Sequence, residues 1–196
     1  EWWDSYETRE KKLFGEFGGN ELEALITVCQ FMQAEGIRYV IEANRRRIWE
    51  NCGSIVWQFN EPWPNTACTS IVEYFGTPKL AYYFMRDAFR SCTPTLRYDS
   101  LVYKAGETFL SEVFILNDRQ ETQGTVTVTA RTEDGEILTE ERMDVRLPDN
   151  GTVHAGTFSL LIPASAGDSF RVYLLLEANG IREESEYLFL VPDKKS

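Results

Sequence analysis

Histidine is nearly absent from this chain: His154 is the only one in 196 residues. Cysteine is scarce as well. Cys29, Cys52, Cys68 and Cys92 all fall in the first half, 23, 16 and 24 residues apart, with no CxxC pair among them. A zinc site needs Cys and His ligands at closer spacing, so no metal ligands are assigned and no cofactor is expected. The cysteines read as free thiols packed as small apolar groups. The sequence has no run of about 18 or more apolar residues, which excludes a membrane-spanning helix, and no signal-peptide pattern. Basic residues are in deficit, 20 against 31 acidic for a net charge of −11, which argues against nucleic-acid binding. A soluble protein is expected, with a cytoplasmic and a secreted or periplasmic location both open. There is no initiator methionine. The opening Glu1-Trp2-Trp3-Asp4 reads like the interior of a longer polypeptide.

What is present suffices for a core: 43% of residues are hydrophobic and 13% aromatic. The distribution is uneven. All five tryptophans (2, 3, 49, 57 and 63) lie in the first third. Residues 1–92 carry 10 basic and 13 acidic side chains, and residues 93–196 carry 10 and 18. Two domains are expected, 1–92 and 93–196, with the boundary near Ser91-Cys92-Thr93-Pro94.

The first part reads helix, strand, helix. The Trp2-Trp3 pair is expected to pack on something, and Gly15, Gly18 and Gly19 predict irregular backbone. Asn20 is a good N-cap, followed by Glu21 and Glu23 where the helix dipole favours anions. Leu22, Leu25, Ile26, Cys29, Met32, Gly36, Val40 and Ala43 then form a stripe of period 3.6. Gly36 costs about 1 kcal/mol against Ala in a helix, so close approach of another backbone is expected there. Arg45, Arg46 and Arg47 suit a helix C-terminus; the triplet fits a solvated or ion-paired helix end as well as a phosphate site. Asn51 and Gly53 are expected to stop the helix. A buried strand is predicted over Ile55–Phe59, inside Gly53–Pro64. A second helix is predicted from about Lys79 to Arg90, with Pro78 in its first turn and Leu80, Tyr83, Phe84 and Ala88 on its apolar face.

From Thr95 the period changes to two. Alternation is seen at Leu101–Tyr103, Phe109–Leu116, Val126–Ala130, Ile137–Val145, Val153–Ile162, Phe170–Leu176 and Tyr187–Val191. Turn signals such as Asp149-Asn150-Gly151 and Asn179-Gly180 separate these runs. Seven or eight short strands in about 100 residues predict an immunoglobulin-like antiparallel sandwich. Asn150-Gly151-Thr152 also fits an N-glycosylation sequon, beside its plain reading as a turn.

Chemistry concentrates in Gly53–Pro64. A buried strand that delivers polar and aromatic groups to its C-terminal end is how a (β/α) barrel builds a sugar pocket. Indole faces stack on the apolar face of a pyranose, and Asn60 can donate to and accept from hydroxyls. Trp57, Asn60 and Trp63 are therefore the substrate-binding candidates, with barrel core as the other reading of the tryptophans. Glu61 tempts as an acid/base carboxylate. But a helix and an all-β domain follow it, not further βα units, which makes it a structural or pocket-rim group. No catalytic residue is assigned, and His154 is given no role.

Residues 33–39 (Gln-Ala-Glu-Gly-Ile-Arg-Tyr), 42–47 (Glu-Ala-Asn-Arg-Arg-Arg), 53–64 and 73–83 (Glu-Tyr-Phe-Gly-Thr-Pro-Lys-Leu-Ala-Tyr-Tyr) together resemble the end of the catalytic barrel of glycoside hydrolase family 2, in its β-mannosidase-like branch. The resemblance covers residues 1–90. It implies an α+β chain: the incomplete end of a (β/α)8 TIM barrel followed by an immunoglobulin-like β-sandwich. It implies a retaining exo-glycosidase whose two catalytic glutamates lie upstream of Glu1, so that this chain alone is inactive. Trp57 would floor the subsite for the terminal sugar, making carbohydrate the partner of the full-length enzyme. The alternative is a carbohydrate-binding or structural interaction module without catalysis. A barrel strand without neighbours exposes apolar area, so self-association is expected, or packing of the two helices around the strand.

Overall fold

The computed structural model describes Lys11, residues 19–65 and residues 69–192. The expectations for Trp2-Trp3, Gly15, Gly18 and Cys68 lie outside the described residues. The chain divides into two compact units, Glu1–Arg90 and Ser91–Ser196.

The first unit holds two helices, α1 (Glu21–Arg46) and α2 (Leu80–Ala88). The Asn20 side chain caps α1 by accepting from the Glu23 backbone N–H, with Glu21 and Glu23 in the first turn as expected. α1 stops at Arg46, before Asn51 and Gly53, where the backbone of Arg47 leaves helical geometry. Its buried face is Ala34, Glu35, Arg38, Ile41 and Glu42, whereas Leu22, Ile26 and Val40 of the expected stripe are exposed. Charged side chains can line the buried face because they pair along it. Arg38 bonds Glu35, and Arg46 lies 3.9 Å from Glu42. The close approach expected at Gly36 is not found: a Cβ there would have nothing within 4 Å.

α2 packs on α1 through Ala34, Ile71 and Ala81, with Ile37, Val56, Phe84 and Met85 around them. The Phe31 and Phe84 rings meet edge-on at 6.5 Å, and the Arg38 guanidinium lies 4.5 Å over Phe84. The two helices pack on each other as expected, with Val56 at the margin, but not around a formed strand. Two further details differ. Pro78 precedes the N-cap Lys79 and is not in the first turn. Leu80 and Tyr83 are on the exposed side, and Ala81 takes the buried one. The arginine triplet is built into the unit. Arg45 donates to the Ala88 and Arg90 carbonyls at 2.6 and 2.9 Å, supplying a cation to the C-terminus of α2.

The second unit is a two-sheet antiparallel sandwich of seven strands. These are β1 (Cys92–Arg97), β2 (Thr108–Asn117), β3 (Thr122–Thr132), β4 (Ile137–Leu147), β5 (Gly151–Leu161), β6 (Ser169–Ala178) and β7 (Ile181–Leu190). The sheet orders are β1-β2-β5 and β4-β3-β6-β7, an immunoglobulin-like arrangement. Alternation puts Phe109, Val113 and Phe158 of one sheet and Val126, Val128, Phe170, Val172 and Phe189 of the other into the core. Phe109 is its centre, 4.5 Å from Phe189 and 5.4 Å from Phe170. The Leu96 N–H donates across the sheets to the Tyr187 hydroxyl at 3.2 Å. Leu101–Tyr103 is not a strand; it makes one bridge, Val102 to Leu190. Of the described cysteines, Cys92 is buried and Cys29 partly so. Cys52 is exposed, contrary to the packed-thiol expectation.

Candidate functional site

The candidate site is the segment 51–64, which follows α1. Its start is tied to the helix by Asn44, whose amide donates to Ser54 Oγ at 2.9 Å and whose carbonyl accepts from Asn51 Nδ2 at 3.0 Å. The strand predicted over Ile55–Phe59 is not formed. A barrel strand needs a hydrogen-bonded neighbour on each side. Here the backbone of 58–60 meets residues 71–72: the Ile71 and Val72 N–H groups donate to Phe59 O at 3.2 and 2.9 Å, and Asn60 bridges Val72 in parallel. The period of two survives without the strand. Val56 and Gln58 are partly covered, while Ile55, Trp57 and Phe59 are exposed, so one of two apolar faces is packed.

That partner segment is itself anchored. Gln33 Nε2 donates to the Thr69 carbonyl at 2.6 Å, and the Lys79 N–H donates to Ile71 O at 2.9 Å. The loop bearing the candidates is therefore held from α1, through residues 69–72, to the start of α2.

Trp57, Asn60 and Trp63 all lie on this loop and all are exposed, Trp57 at 80% and Trp63 at 64%. The Trp57–Gln58 peptide is cis. Among the described residues neither indole has a ring partner, and both present most of their surface to solvent. Phe59, which was not singled out from the sequence, is also exposed and meets Tyr82 edge-on at 6.4 Å. Phe75 is exposed too. Its ring meets that of Tyr74 edge-on at 5.1 Å.

Glu61 differs from its neighbours. It is buried, 6% exposed, and its Oε1 accepts from Ser70 Oγ at 2.5 Å and from Lys79 Nζ at 3.0 Å. His154 lies on β5 in the other unit, 3.7 Å from Glu112 and beside the Phe114 ring. Among the described residues no three His, Cys, Asp or Glu side chains group as metal ligands, and no helix is long and apolar enough to cross a membrane.

Residues 111–195 match the model of the mannosidase Ig/CBM-like domain. Beta-mannosidase B of Aspergillus niger is 40% identical over 67 residues, 32% of this chain and 8% of that protein. Beta-mannosidase B of Thermothelomyces thermophilus is 35% identical over 80 residues, 36% of this chain and 9% of that protein. The crystal structure of beta-D-mannosidase from Dictyoglomus thermophilum superposes with a TM-score of 0.70 at 25% identity, covering 93% of this chain and 22% of that one. The chain is therefore similar to a part of these β-mannosidases. The Amycolatopsis orientalis exo-chitosanase shares the fold, with a TM-score of 0.66 at 17% identity over 92% of this chain and 21% of its own. The β-mannosidase-like match thus spans less than a tenth of the length of the curated relatives.

Proposed function

We propose that this chain is part of a β-mannosidase-like, retaining exo-β-glycosidase. Residues 1–90 form the end of its (β/α)8 barrel, and the sandwich is an accessory domain. The loop 57–63 supplies one wall of the pocket for a terminal β-linked sugar. Trp57 stacks on the apolar face of the pyranose, Asn60 hydrogen-bonds its hydroxyls, and Trp63 borders them. The observation that carries this reading is Trp57: a large aromatic on an anchored loop, 80% exposed among the described residues, in a chain whose relatives are named β-mannosidases. Leaving an indole in water is unfavourable unless something covers it. The single carboxylate of the loop is buried and bonded, so the acid and the nucleophile of a retaining reaction belong to parts of the enzyme beyond these residues, and this chain alone turns nothing over.

Two measurements test the proposal. The isolated chain is incubated with aryl β-mannoside, β-galactoside, β-glucuronide and β-glucosaminide; no turnover is expected, and turnover of any one refutes it. In a longer β-mannosidase carrying this segment, Trp57→Ala should lower kcat/KM by about tenfold or more, the worth of a lost aromatic stack. An unchanged kcat/KM would remove Trp57 from the pocket.

A further inference from the structure

The sugar-wall reading leaves Glu61 without a task, and the structure gives it one. We propose that Glu61 is a positioning residue: through Ser70 and Lys79 it latches the Trp57–Trp63 loop to the N-terminus of α2, and its carboxylate does not meet substrate. This role rests on the pocket wall proposed above.

The geometry is a closed triangle. Ser70 Oγ and Lys79 Nζ both donate to Glu61 Oε1, and Lys79 Nζ is also 3.2 Å from Ser70 Oγ. Ser70 is fully buried, and the side chains of Lys79 and Glu61 are 17% and 4% exposed. Within one loop, Trp57, Asn60 and Trp63 face solvent and Glu61 faces inward. A carboxylate that served a sugar would face the same way as its neighbours.

The latch also explains the odd start of α2. Lys79 is its N-cap and makes no side-chain cap bond. A cation is disfavoured at a helix N-terminus, and an anion is favoured. Glu61 supplies that anion from another segment and neutralises the lysine at once. The loop is then pinned on both sides of Asn60. The Phe59 carbonyl is held by the Val72 N–H, and the Glu61 side chain is held by Ser70 and Lys79. Asn60 can be aimed only if both pins hold.

The test uses the full chain and no sugar. Amide hydrogen exchange is followed by NMR at Ile71 and Val72, with Val126 and Val128 of the sandwich as internal controls. Fluorine-labelled tryptophan reports on Trp57 and Trp63. Glu61→Ala and Lys79→Met should each speed exchange at Ile71 and Val72 by about tenfold or more. They should also broaden the Trp57 and Trp63 resonances and leave the controls unchanged. Glu61→Gln, which keeps an acceptor for Ser70 but loses the charge, should fall between. The double variant Glu61→Lys/Lys79→Glu should return the rates toward the parent. Unchanged exchange in Glu61→Ala overturns the proposal, as does equal acceleration at every amide or a swapped pair that restores nothing. A chain that never binds sugar can still pass this test, and failure here leaves the Trp57 reading standing.

Discussion

Gly36→Ala should stabilise the first unit. Gly36 lies in the interior of α1, a 26-residue helix, where glycine is about 0.8–1 kcal/mol worse than alanine because it gives up more backbone freedom. An added methyl usually risks a clash, but a Cβ at this position has nothing within 4 Å. The whole propensity gain should therefore be realised, about 0.8–1 kcal/mol. All five tryptophans lie at or before residue 63, so indole fluorescence reports this unit and not the sandwich. For a unit of this size, m in urea is about 1–2 kcal/mol/M, and the fluorescence midpoint should rise by roughly 0.5–1 M. Far-UV circular dichroism of the sandwich should not move. A lower or unchanged midpoint would refute the reasoning, because it would mean that the methyl meets an atom and that this face of α1 is covered. In a larger assembly that does cover the face, the sign should reverse.

Other outcomes follow from the same geometry. Gly124 sits in β3 where a Cβ would lie 2.5 Å from Glu177 O and 2.6 Å from the Ala178 Cβ. Gly124→Ala should cost about 1–3 kcal/mol by overpacking, read as a lower Tm of the sandwich, and an unchanged Tm would contradict the close approach. Burial pushes the Tyr103 hydroxyl above its ordinary value of 10, helped by Asp99 and Glu107 and opposed by a backbone hydrogen bond from Ser100. The unfolded state then loses this proton first as pH rises. The contribution is fully present below about pH 10 and is lost through the folded pKa. Tyr103→Phe should thus flatten the alkaline fall in sandwich stability, and an identical fall in both proteins would remove Tyr103 as its source. Ile55, Phe75 and Trp57 are 98%, 82% and 80% exposed. The isolated chain should self-associate with rising concentration in sedimentation experiments and less so as Ile55→Ser; a monomer at all concentrations would count against it.

The sandwich was legible in the sequence because its strands are buried on one face and its turns carry Asn, Asp and Gly. Its one missed strand has a physical cause. Pro94 argues against a strand interior, and the region was read as a boundary, yet β1 lies at the edge of its sheet, where proline is tolerated. The candidates Trp57, Asn60 and Trp63 stand out in the sequence as residue types on one segment. The latch was not: Glu61, Ser70 and Lys79 are 9 and 18 residues apart, at no spacing that any local period repeats.

The first unit teaches more through its mismatches. Of the expected stripe, Leu22, Ile26, Gly36 and Val40 are exposed and Leu25, Cys29, Met32 and Ala43 only half-buried, while the face that packs carries Glu35, Arg38 and Glu42. Segment 55–59 likewise has two apolar faces and one cover. These are not failures of periodicity. Exposed apolar side chains are ordinary singly, but a contiguous group of them marks a surface that another element can cover. The sandwich has few such surplus faces: Leu110, Ile137 and Leu161 are its exposed large apolar side chains among the described residues. The surplus lies where the aromatic loop is. That is the distribution expected if the loop is one wall of a pocket whose other walls, and whose carboxylates, are carried by further structure packed against this unit.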